Sequence, residues 1–156
     1  MIREILESLE DKSIEDIVKS YGLTLRMVKG SFGGSCGARQ VTVSDNTNPV
    51  KYFAANWLGS NNKDFVSKNE YPQNLNTAYH EIAHGLFSRN PQKGHIALKE
   101  LTKLGVPRDV AVENLADLGG LYLLDPEAIT NSKIYAILDN YLADFYKEAT
   151  NNEEIN

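Results

Sequence analysis

The chain has 156 residues, 42% hydrophobic and 24% charged, with a formal net charge of −5. That is the size and composition of one ordinary domain with a single packed core, and the negative balance disfavours nucleic acid as a partner. The lone cysteine, Cys36, excludes an intrachain disulfide, and no stretch approaches the ~18–20 apolar residues of a membrane span.

The N-terminus alternates charged and apolar residues (Ile2, Arg3, Glu4, Ile5, Leu6, Glu7). That is not the pattern of a secretory leader, so a cytoplasmic protein is expected. Residues 2–10 and 14–21 read as two short helices. Ile2, Ile5, Leu6 and Leu9 share one face of the first, Ser13 fits the N-cap of the second, and Gly22 fits its stop. Residues 23–29 and 38–44 read as strands, with glycines 30, 33, 34 and 37 marking a turn between them.

From Asp45 to Gln73 the pattern is weak, with one short strand near Lys51–Asn56. Tyr52, Phe53, Trp57, Leu58 and Phe65 make this stretch too aromatic for a solvated linker, so a loop packed over the core is expected. Beyond Asn74 the chain reads as helical. Leu75, Ala78, Tyr79, Ile82, Ala83, Leu86 and Phe87 follow the helical period up to Asn90–Pro91. A second helix covers about 94–104 and stops at Gly105. A third starts at Pro107 and runs to about Leu124. A last one covers about 132–149, with Ile134, Ile137, Leu138, Tyr141, Leu142 and Phe145 on one face. Residues 1–149 are expected to form one domain, and 150–156 a disordered polar tail. The expected class is α+β: a small, mainly antiparallel sheet with a predominantly helical C-terminal half.

Residues 80–84 read His-Glu-Ile-Ala-His. Positions i and i+4 of a helix lie one above the other, so two imidazoles can grip one metal ion from a single turn. Zinc is the usual metal for such a pair. Glu81, one step around the helix, is placed to take a proton from a metal-bound water. His80 and His84 flank the apolar stripe, while Ile82 and Ala83 lie on its core side. Gly85 costs roughly 1 kcal/mol of helix propensity, which close approach of another backbone or a substrate would explain. The bland alternative is two exposed histidines on an amphipathic helix.

A catalytic zinc site needs a third protein ligand. Glu113 is favoured over His95, whose neighbours Lys93 and Gly94 read as an exposed helix start. Glu113 and Asp117 share a helix face at i, i+4, where like charges repel unless a cation lies near. Asp117 then suits the N–H of a ligand histidine. Gly119 and Gly120, about 2 kcal/mol of lost propensity together, fit tight packing against the His80–His84 helix. A solvated acidic face is the alternative.

At these residues the chain resembles the gluzincin branch of the zincins, which pairs a His-Glu-x-x-His helix with a later Glu-x-x-x-Asp. Glu113-Asn-Leu-Ala-Asp117-Leu-Gly-Gly-Leu-Tyr-Leu123 is similar to the second motif of the ArdC-like antirestriction metallopeptidase domain. It also resembles a segment of the ImmA/IrrE family, with Leu123-Leu124-Asp125-Pro126 matching a Leu-Leu-x-Pro ending. The likeness covers mainly residues 75–126. It implies a compact zincin-like domain with zinc held by His80, His84 and Glu113, Glu81 as general base, and Asp117 closing the second motif.

The function expected is zinc-dependent hydrolysis of a protein or peptide substrate. The alternatives are a phage- or plasmid-related zincin-like regulatory protein with little turnover, and a metal-free helical interaction domain. Cys36, flanked by glycines, reads either as an inhibitory zinc thiolate or as a small buried hydrophobe. Tyr52, Tyr71, Tyr79 and Tyr122 include candidate oxyanion donors. Arg89 and Arg108 are candidates for a substrate carboxylate or for solvated surface.

Overall fold

The computed structural model describes residues 14–30, 34–37, 39–54 and 65–155, except the side chains of 151–155. The expected helix over 2–10, the Ser13 cap, Trp57 and Leu58 lie outside the described residues. Helix α1 (Ile14–Ser20) buries Ile17 and Val18. It closes as expected at Gly22, whose φ is +76°. Gly22 N–H donates to the Lys19 carbonyl and Leu23 N–H to that of Val18, the paired bonds that end a helix on a left-handed residue.

Strands β1 (Thr24–Val28), β2 (Gly34–Gly37) and β3 (Gln40–Ser44) form one sheet in the order β1-β3-β2. β2 pairs antiparallel with β3, whereas β1 runs parallel to β3. The glycine-rich stretch is therefore not merely a turn. Gly34–Gly37 is itself a strand, and its insertion reverses the direction in which β3 meets β1. Val41 and Val43 of β3 are fully buried, and Thr42 between them faces the other way.

β4 (Pro49–Phe53) and β5 (Val66–Pro72) form a second, antiparallel pair with an irregularity between Lys51 and Phe53. The aromatic stretch is thus more regular than expected: Tyr52, Ala54, Phe65 and Tyr71 are all buried. β5 escaped the sequence reading because Ser67–Glu70 are polar, with Lys68, Asn69 and Glu70 exposed.

Four longer helices follow. α2 (Gln73–Arg89) starts directly after β5. Its first amide groups donate to the carbonyls of Asn48 and Asn46, at 2.9 Å each. Asn90 ends it and caps α3 (Pro91–Lys103), its side chain accepting from Lys93 N–H while Pro91 occupies the first turn. After a 3-10 turn (Arg108–Val110) comes α4 (Ala111–Leu124), then another 3-10 turn (Pro126–Ala128) and α5 (Ser132–Ile155). α5 runs beyond the expected 149: Ala149 is buried, and the Thr150 hydroxyl donates to the Tyr146 carbonyl.

The architecture is α+β, with small sheets before a predominantly helical C-terminal half. α2 is central, packed against α4 on one side and β2 and β3 on another. Ile82, Leu86, Leu115, Leu118, Leu121, Leu138 and Leu142 are fully buried or nearly so between the helices. Among the described residues no helix is long and apolar enough to cross a membrane.

Candidate metal centre

His80, Glu81 and His84 project from one face of α2. The two imidazole rings lie edge-on, with centroids 4.8 Å apart. One ligand atom from each of the three residues falls within 4.8 Å of the others. α4 brings up two carboxylates from successive turns. Glu113 sets one oxygen 3.2 Å from His80 Nε2 and the other 3.2 Å from His84 Nε2. Asp117 Oδ1 accepts from His80 Nδ1 at 2.6 Å. Glu81 Oε1 stands further back, 3.8 Å from His80 Nε2.

Two imidazoles and a carboxylate are donor types that a zinc ion takes, and Glu113 sets a different oxygen 3.2 Å from each Nε2. The proton on His80 Nδ1 is used by Asp117, which leaves Nε2 its lone pair in the neutral ring. His80, His84 and Glu113 are the residues that would hold the ion.

The electrostatics of the cluster favour a proton on two of its members, His80 and Glu81. Burial opposes a charge on His80. The bond to Asp117 and the charges of Asp117, Glu81 and Glu113 outweigh it and raise its pKa above the ordinary imidazole value. Glu81, only 7% exposed, is raised above the usual carboxylate range. Burial is the main cause, and Glu113 and Asp117 add to it against the opposing pull of the two histidines.

No family model, curated protein or solved structure matches the chain. The site therefore has to be judged on its own geometry.

That geometry includes a cleft of about 990 Å³ over the cluster, lined by β2 at Gly34–Cys36, by β4 at Val50–Phe53 and by α2 and α4. Gly34 is what lets β2 come so close. A Cβ there would overlap the Thr77 methyl and lie 3.3 Å from Glu81 Cγ. Sequence reasoning assigned Gly34 to a turn and overlooked this contact.

His95 is exposed and packs edge-on against the cleft-lining Phe87 without itself lining the cleft. Gly94 beside it is not an exposed helix start but buried, because a Cβ would strike the Phe87 ring. Gly119 and Gly120 do face α2: a Cβ on Gly119 would lie 3.3 Å from Ala83 Cβ, and one on Gly120 3.0 Å from the His80 backbone nitrogen. Gly85 answers to side chains rather than to a backbone or a substrate. Its missing Cβ makes room for Leu23 and for Cys36 Sγ.

Cys36 lines the cleft half-buried, and burial together with the Glu81 charge raises its pKa, favouring the neutral thiol over a thiolate. Tyr52 and Tyr122 spend their hydroxyls on the Asp117 carbonyl and on Asp139, at 2.7 Å each. Arg89 donates to the Tyr21 carbonyl and lies over the Phe145 ring. Asn76 was missed. It lies one turn before His80 in α2, and its Nδ2 donates to the Val50 carbonyl. The run Asn76, His80, His84 at i, i+4, i+8 is the signal that could have found it.

Proposed function

We propose that this protein is a zinc-dependent metallopeptidase of the zincin type. The observation that carries the reading is the Glu113 carboxylate, equidistant at 3.2 Å from the Nε2 atoms of His80 and His84 while Asp117 takes the other nitrogen of His80. The resemblance of residues 75–126 to the gluzincins supports the same reading.

When bound, zinc supplies Lewis acidity, which acidifies water and polarises a carbonyl. The chain's own residues do the rest. Glu81, held at the cleft floor with a raised pKa, accepts a proton from the attacking water and returns it to the leaving amine. Asp117 fixes the tautomer and the orientation of His80. β2, paired with β3 alone among the described residues, lines the cleft and offers its outer edge to an extended peptide.

Metal analysis of untagged protein should find about one zinc per chain, and His80→Ala with His84→Ala should abolish it. Full zinc occupancy in that double mutant would overturn the site. Glu81→Gln should keep the zinc and lose hydrolysis of a synthetic peptide mixture followed by mass spectrometry. Bound zinc with no hydrolysis in the native sequence would favour the zincin-like binding protein instead.

A further inference from the structure

The metal reading needs ligands from two helices, so something must set where α4 stands along α2. Ala83, Gly119 and Gly120 let the two backbones approach closely, while Ile82, Leu115 and Leu118 are buried in the core around them.

β4 belongs to neither helix and is bonded to both. The Val50 carbonyl accepts from Asn76 Nδ2 at 3.0 Å, one turn before His80 in α2. Two residues on, the Tyr52 hydroxyl donates at 2.7 Å to the backbone carbonyl of Asp117 in α4. That hydroxyl occupies the space left by the missing Cβ of Gly120. The strand is itself anchored: Tyr52 N–H donates to Ser67 Oγ at 2.8 Å, and Ser67 Oγ donates to the Asn69 carbonyl at 2.7 Å. Tyr52 is 4% exposed, so water does not compete for the bond.

We propose that Tyr52 is a positioning residue whose hydroxyl sets the axial register of α4 against α2, and with it the placement of Glu113 and Asp117 on the two histidines. The inference rests on the metal reading and deepens it. The carbonyl that Tyr52 holds belongs to the residue whose carboxylate holds His80. Register and ligand orientation therefore share one anchor.

The test compares Tyr52→Phe with Tyr122→Phe in the full chain. Tyr122 also sits in α4 and loses a bond of the same length, but to Asp139 of α5, away from the cleft. Zinc affinity is measured by competition with a chromogenic chelator, and site geometry by the visible spectrum of the cobalt-substituted protein. Tyr52→Phe should weaken zinc binding by ~10–100-fold, the usual size of a lost outer contact, and should alter the cobalt bands. Tyr122→Phe should change neither. Gly120→Ala adds a supporting measurement: its Cβ would meet the Tyr52 hydroxyl and also press on the His80 backbone nitrogen, so it should lower zinc affinity although alanine is the better helix former. Wild-type affinity in Tyr52→Phe, or equal losses in both phenylalanine variants, would overturn the proposal. A native chain that binds no zinc would overturn the metal reading beneath it.

Discussion

α4 and the strands β2 and β4 approach the same helix, α2, from different sides, and both do so by leaving out a Cβ. On the α4 side, Gly119 and Gly120 bring a helix against Ala83 and the His80 backbone, so that Glu113 and Asp117 reach the imidazoles. On the strand side, Gly34 brings β2 against Thr77 and Glu81, and Tyr52 reaches across to α4. The helix side supplies the carboxylates that touch the two imidazoles. The strand side supplies the wall of the cleft and the register. A glycine thus means the same thing in both places, close approach, but the approaching element delivers carboxylates in one case and placement in the other.

This contrast can be broken at several strengths. The largest effect is expected on the helix side, where Glu113→Ala should release most of the metal in the chelator competition. Asp117→Asn keeps every ligand atom and should cost only ~10–100-fold in affinity, about 1.4–2.7 kcal/mol. Equal affinity in both variants and the native chain would make the carboxylates a solvated face. On the strand side, Gly34→Ala should destabilise the fold by ~1–3 kcal/mol in urea unfolding, the usual cost of overpacking. It should also reduce hydrolysis more than zinc affinity, because it presses on Glu81 rather than on a ligand. A loss of zinc as large as that of Glu113→Ala would erase the distinction between the two sides. The smallest effect is expected far from both. Lys93→Ala removes an ion pair to Asp144 that is 43% and 81% exposed, and should shift stability by ~0.5 kcal/mol or less. A larger loss of stability there would mean that the α3–α5 contact relies on charge.

Much of the helical half was legible because its signals are local. Asn90–Pro91 and Gly105 end helices where expected, and the apolar stripe of α2 is buried as its period implies. The sheets were less legible. β5 carries a polar middle, and β2 is a four-residue strand made of Gly, Ser and Cys, so neither alternates apolar and polar residues. Gly85 was misjudged for a related reason. The sequence reveals a missing Cβ but not that Leu23 and Cys36, far away in the chain, fill the space.

The sequence by itself determined which side chains can act together within one helix. The i, i+4 geometry stacks His80 on His84 and Glu113 on Asp117 whatever surrounds them, because a helical turn is closed by its own backbone. The tertiary structure alone decided how those pairs meet. The two equal distances from Glu113, the parallel pairing of β1 with β3, and the bond from Tyr52 to a carbonyl 65 residues away all depend on contacts between distant segments. Those contacts are set by how the whole core packs, and no window of sequence contains both partners.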